Sequence, residues 1–401
     1  MISFRSRTKA ALLISPVLSL LLLCYIFWPG SSTILGRVII PHAHKPPTHS
    51  SKNSCPELPG IADVQVVLKT GATEAMHKVP IHFNTTLRCI PHFVLFSDFE
   101  EDIGGFHLRD VLRNVNESIK QTVADFNLYN RLREGGRSAL TTDDMNDDPS
   151  TPNGKPENPG WILDKWKFLP MIDETLRIRD DAKWYIFMEA DTYLVWPNLM
   201  AWLERFDSRK PYYMGSAVQI GDDVFAHGGS GFVLSNIAMR KVSEYRAARI
   251  AEWDAFTNGH WAGDGVLGKA LKDAGVNLLR SSSMLQGATP WTFGYLAPGK
   301  DKGSWCTPAV SYHHMAPSEI QKMWLFERGW SLQGKNSTLL HSDVFEELIK
   351  PRLNKTQDNW DNLSADETKH VAVFLSGGKV SDLAFSQIRR DQGWGNLGLD
   401  P

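Results

Sequence analysis

The sequence predicts an α/β fold, and two observations carry that prediction. Short apolar runs with the composition of buried strands recur at residues 64–68, 92–97, 184–189, 212–218 and 276–279. Between them lie longer stretches whose apolar residues repeat at helical spacing, so strands and helices alternate as they do when helices cover a sheet. The 401 residues, 42% hydrophobic and 22% charged, suffice for one large globular domain or two smaller ones. A net charge of -2 excludes the clustered basic field of a nucleic-acid surface.

Ahead of the globular part, Arg5, Arg7 and Lys9 precede residues 10–28, an uncharged stretch long enough to cross a bilayer as a helix. Pro16 is tolerated inside such a span. Basic residues before the span favour a cytoplasmic N-terminus, which sends the rest of the chain to a lumen or the exterior. The alternative is a cleaved signal peptide ending near Ser31 and Ser32, but the apolar run is longer than a signal core and favours a retained anchor. Sequons at Asn84, Asn116, Asn336, Asn354 and Asn362 fit the same compartment. Cys24 lies in the span. Among Cys55, Cys89 and Cys306, one thiol must stay free or join another molecule; Cys55 with Cys89 is the more local pairing, which spacing alone does not decide. No zinc-ligand spacing occurs. Residues 41–54, rich in Pro, His, Ser and Lys, read as an extended stem, and the globular part is expected to begin near Ile61.

Within that part, residues 123–132 read as helix and 135–160, with Asp, Asn, Pro and Gly throughout, as a surface loop. Residues 161–178 carry Ile162, Trp166, Leu169, Ile172 and Leu176 at helical spacing, with a kink expected at Pro170. Residues 197–206 suit a short helix with Pro197 at its first position. Helices are expected at 236–247 and 266–271, and a short strand over 310–315 precedes a helix starting near Pro317.

The chemistry concentrates in a few places. In WYIFMEADTYLVWP, Glu189 and Asp191 leave an apolar strand two positions apart, and in open α/β sheets ligands collect beyond the carboxyl ends of strands. Such a pair can hold a divalent cation, and a cation bridging a diphosphate needs only one or two protein carboxylates. That is the chemistry of a nucleotide-sugar site; the same spacing also occurs at solvated strand ends. Gly228, Gly229 and Gly231 permit close backbone approach to a ligand, or simply a tight turn. Asp264, between two glycines at a helix entrance, can cap that helix or serve as a general base. His313 and His314 follow a short strand, where an imidazole can complete a mixed oxygen and nitrogen site for manganese. Strand neighbours point to opposite faces, so one of the two histidines at most is expected to reach it. Trp291, Phe293 and Trp305 lie between Asp264 and His313, either to stack on sugar faces, which on the resemblance below would be those of an acceptor, or to pack the core.

In order, WYIFMEADTYLVWPNLMAWL, HGGSGFVLS, GDGVLGKAL and WCTPAVSYHHM, behind a type II anchor, resemble the core 1 β1,3-galactosyltransferase and Fringe group of glycosyltransferase family 31. The likeness spans residues 161–328 and is vague over 61–130. It implies a GT-A-like fold, with a mixed, mostly parallel central sheet flanked by helices, over residues 61–335. Before it would come a cytoplasmic tail (1–9), one transmembrane helix (10–28) and a lumenal stem (29–60); after it, residues 336–401 form an extension with no readable motif. The resemblance further implies a Golgi enzyme that moves a hexose, such as galactose from UDP-galactose, with inversion and in β1,3 linkage. The acceptor would be a glycan such as the O-linked GalNAc of a glycoprotein, and a second copy of the chain is a further candidate partner. Asp191 and His313 would hold Mn2+, Glu189 would make a water-mediated metal or ribose contact, and Asp264 would be the base. Gly228, Gly229 and Gly231 would lie near the donor sugar. The family usually has three consecutive acids where this chain has Glu189-Ala190-Asp191, which bears on metal affinity and donor choice. Two other classes stay open: a membrane protein that binds sugar nucleotide or glycan without transfer, and a glycoside hydrolase using two carboxylates and no metal.

Overall fold

An eight-stranded mixed sheet organises the chain in the computed structural model, which describes residues 55–145, 158–295, 305–332 and 338–352. The expected anchor, most of the stem, and the sequons at Asn336, Asn354 and Asn362 lie outside the described residues. Among those residues no helix is long and apolar enough to cross a membrane.

The strands are β1 (Val64–Lys69), β2 (Phe93–Ser97), β3 (Glu101–Ile103), β4 (Phe106–Asp110), β5 (Trp184–Glu189), β6 (Tyr193–Leu194), β7 (Tyr213–Gly215), β8 (Ala217–Ile220), β9 (Asp223–Ala226), β10 (Phe232–Ser235), β11 (Leu278–Arg280) and β12 (Ser311–Tyr312). The main sheet runs β11-β7-β10-β5-β1-β2-β4-β3. Its pairs β5·β1, β1·β2, β2·β4 and β7·β11 are parallel, while β10 runs antiparallel to both β5 and β7, and β3 to β4. The sheet is therefore mixed and mostly parallel, with helices on its faces, which fits a GT-A-like architecture.

Strands β1 and β5 are buried almost throughout, as central parallel strands covered on both faces must be. Their alternating side chains feed two apolar layers. Tyr185 and Phe187 face helices Phe168–Ile178, Asn236–Ala247 and Gly263–Asp273, through Leu169, Met239 and Leu267 among others. Ile186 and Met188 face the opposite layer, with Ala75 of helix Ala72–Lys78 and Leu199 of helix Trp196–Leu203. A third cluster gathers Tyr193, Tyr295 and Tyr312 with Ile320 and Met323 of helix Pro317–Leu332.

Three local expectations need correction. Residues 161–178 do not form one helix kinked at Pro170: helix Pro159–Asp164 passes through a 3-10 turn, Lys165–Lys167, into helix Phe168–Ile178. Pro170 falls in the first turn of that last helix, where no N–H is needed, and its ring would oppose the carbonyl of Trp166 in a continuous α-helix, so the break comes earlier. The strand expected over 212–218 divides at Ser216, and its second half forms a hairpin with β9 around Gly221, whose φ of 57° suits a tight primed turn. Pro197 is the second rather than the first residue of its helix, Trp196–Leu203. Cys55 and Cys89 form a disulfide and Cys306 is free and exposed. Asn84 and Asn116 are both exposed.

Candidate metal and donor site

Strand β5 ends at Glu189, and the chain turns sharply: the Thr192 N–H donates to the Glu189 carbonyl (3.0 Å), while the Thr192 hydroxyl donates to the Gly229 carbonyl (2.7 Å). The turn returns as β6, which pairs antiparallel with β12 so that Tyr193 opposes Tyr312. One step beyond that pair, the Met315 N–H donates to the Asp191 carbonyl at 2.9 Å. This register is what brings His313, distant in sequence, against the acids of β5.

His313 Nε2 lies 3.1 Å from Asp191 Oδ1 and 3.7 Å from Glu189 Oε2. The His314 ring stands 3.8 Å from that of His313, and ligating atoms of Asp191, His313 and His314 fall within 4.8 Å of one another. Both histidines thus reach the cluster, contrary to the alternation expected of them. Strand β12 stops at Tyr312, and His314 adopts a left-handed φ of 57°, so the two-residue period no longer applies. Neither ring nitrogen of buried His313 makes an aligned hydrogen bond, close as Asp191 is. A buried imidazole nitrogen and a carboxylate oxygen that face each other without such a bond fit joint ligation of a divalent cation such as manganese. Burial alone would lower the His313 pKa, but Asp191 and then Glu189 outweigh it and hold it at about 9.

Each acid also has its own lysine, and neither lysine stood out in the sequence. Lys78 Nζ donates to Asp191 Oδ2 at 3.0 Å and lies 2.8 Å from Glu74. Lys69, opposite Glu189 in the parallel β1·β5 register, approaches Glu189 Oε1 to 3.0 Å and also bonds Asp164. Burial works against the charge on both lysines, yet the facing carboxylates prevail and raise both pKa values. Burial likewise works against ionisation of Glu189 and Asp191; Lys69 for the first, His313 and Lys78 for the second, hold them well below the usual carboxylate range. A signal did exist in the sequence: Lys69 closes an apolar strand, an unusual place for a lysine without a partner.

Asp264 sits apart from this cluster, in the first turn of helix Gly263–Asp273. The Gly228 N–H donates to its Oδ2 (2.8 Å) and the Gly265 N–H to its Oδ1 (2.9 Å). Burial pushes its pKa up to about 6 despite those two donors. The glycine segment therefore touches both groups. A Cβ on Gly229 would stand 2.1 Å from the His313 ring, one on Gly228 3.1 Å from Glu189, and Gly231 turns the chain with a φ of 77°. Gly229→Ala is accordingly expected to push His313 off Asp191 and weaken divalent-cation binding at this cluster about 10- to 100-fold, the range for disturbing the support of a metal ligand. Calorimetry with the far-UV circular dichroism unchanged would establish it; wild-type affinity would show that His313 has room to shift without loss.

The aromatic trio packs against the third apolar cluster. Phe293 packs 4.5 Å from His341 and 4.8 Å from Tyr295, Trp305 lies 5.3 Å from Phe345, and Trp291 meets Arg352 at 5.9 Å. All three are half-buried there.

Residues 167–286 match the family model described as Fringe-like, and this domain belongs to the galactosyltransferase-like glycosyltransferase family 31. The matched span holds Glu189, Asp191, the glycine segment and Asp264, and ends before His313.

Proposed function

We propose that this protein, built around its family 31 domain, transfers a hexose from a UDP-sugar to a glycan hydroxyl with inversion. One observation carries the reading: a carboxylate and imidazole cluster, Asp191 with His313 and His314, and a separate half-buried acid, Asp264, meet on the same Gly228–Gly231 segment. Donor activation and proton removal thus have distinct groups on neighbouring sides of one backbone turn.

Bound at Asp191 and His313 with His314 in reach, Mn2+ would supply charge neutralisation for a departing diphosphate. Lys78 fixes Asp191 by Oδ2 and leaves Oδ1 toward His313; Lys69 does the same for one oxygen of Glu189. Asp264, with both oxygens held by backbone N–H groups and a pKa of about 6, is ionised at neutral pH and oriented to take the acceptor proton. Attack then comes from the face opposite the nucleotide, which inverts the anomeric centre. A hydrolase has no use for the imidazoles and paired lysines beside its carboxylates.

On this reading the donor is UDP-galactose, the linkage β1,3 and the acceptor the O-linked GalNAc of a glycoprotein, made in the Golgi lumen by a type II membrane protein. The Cys55–Cys89 disulfide and the exposed Asn84 and Asn116 sequons support an oxidising secretory compartment. The test is a panel of UDP-sugars offered to the purified protein with benzyl glycosides, with and without Mn2+. Product from one donor, abolished by a chelator, is expected. Mn2+-dependent UDP binding without product would return the chain to the non-catalytic binders, and metal-independent cleavage of the glycosides would make it a hydrolase.

A further inference from the structure

We propose that Trp261, flanked by Trp161 and His260, is the platform on which the acceptor sugar rests; the assignment builds on the transferase reading. Trp261 is 60% exposed, the highest value among the large apolar residues described. A single exposed tryptophan would need no explanation. Here, however, the Trp261 ring runs nearly parallel to both Trp161 (centroids 6.3 Å, 19°) and His260 (6.4 Å, 12°). Trp261 precedes Asp264 by three residues, so its backbone lies within about 11 Å of the candidate base.

The platform is pinned. A Cβ on Gly263 would come within 2.6 Å of the Lys165 backbone and 2.4 Å of Phe168, so the turn after Trp261 presses directly on the end of the helix that carries Trp161. Lys165 Nζ donates to the Asn258 carbonyl (3.2 Å), tying the same two segments again. The Ala262 N–H donates to His260 Nδ1 (3.0 Å), which leaves Nε2 of the neutral ring as a donor. A pinned indole that is 60% exposed, with a nearby N–H donor, suits a pyranose, which offers an apolar C–H face and a hydroxyl edge. Trp291, Phe293 and Trp305, by contrast, are partly buried against the third apolar cluster.

Two titrations on the purified full chain separate the possibilities. Benzyl glycosides of galactose, glucose, N-acetylglucosamine and N-acetylgalactosamine serve as acceptor probes, followed by saturation-transfer NMR with UDP and Mn2+ present and by KM where turnover occurs. UDP affinity is measured separately by calorimetry. Trp261→Ala is expected to raise Kd and KM for the best probe about tenfold with UDP affinity unchanged, and Trp261→Phe to recover most of the loss. Because Trp261 is exposed, its removal leaves the core intact. Unchanged probe affinity in Trp261→Ala, an equal loss of UDP affinity, or a wild-type chain that binds UDP but none of the probes overturns the platform and leaves the transferase reading standing. A wild-type chain that binds neither UDP nor any probe overturns both.

Discussion

Replacing Asp264 with Asn is expected to lower sugar transfer about 10²- to 10⁴-fold, the usual worth of a positioned general base, while UDP binding stays at the wild-type level. Asn keeps the size of the side chain and one oxygen that can still accept from the Gly228 N–H, with its NH2 group then toward the Gly265 N–H. It loses the ability to hold a proton. The wild-type pH profile should show the same group: burial raises the Asp264 pKa to about 6, so kcat/KM falls as pH drops through about 6 and the carboxylate is neutralised. An aspartate with the ordinary value of 3.8 would hold activity to much lower pH. Turnover unchanged in Asp264→Asn would remove this residue from the reaction; a profile without the acid limb would mean that another group takes the proton.

What was legible in the sequence was local. The strand ending in Glu189 and Asp191, the glycine segment and the helix entrance at Asp264 each announce themselves through composition and period within about ten residues. Lys69 and Lys78 do not, because their roles arise from the parallel register of β1 with β5 and from a helix packed across it. His82 is a third such residue: burial lowers its pKa to about 4, and its Nε2 hydrogen-bonds the Ala190 carbonyl at 2.8 Å. That both His313 and His314 reach the cluster is hidden for a different reason: strand alternation admits only one of them, and β12 ends at Tyr312, before either. Trp261 carries no period at all, and only the stacking of Trp161 and His260 on it gives it meaning.

Ala190 shows how a departure from a family pattern changes its sense in three dimensions. In the sequence it reads as a lost acid. In the fold its methyl group is buried in the apolar layer that also holds Leu194 and Trp196. A carboxylate there would enter an apolar layer, so its absence takes nothing from the Asp191–His313 pair.

That pair supports the second large effect: Asp191→Ala is expected to weaken Mn2+-dependent UDP binding by at least about 100-fold, more than the loss of a supporting contact causes. Asp191 has two jobs that no neighbour duplicates. Its Oδ1 faces His313 Nε2 at 3.1 Å, and its main-chain carbonyl receives the Met315 N–H that seats the histidine segment. Alanine keeps the second and removes the first, which isolates the ligand role from the fold. Lys78 keeps Glu74 at 2.8 Å after the substitution and is not left as a buried charge without a counterion, so thermal stability should fall only modestly. Asp191→Asn sharpens the comparison, because it preserves shape and one oxygen for Lys78 while removing the negative charge a divalent cation requires. If both variants lose metal-dependent UDP affinity while their unfolding midpoints stay near wild type, the carboxylate holds the ion. Intact Mn2+-dependent binding in Asp191→Ala would mean that Glu189 or another group does so, and the histidine pair would then have to be explained as packing.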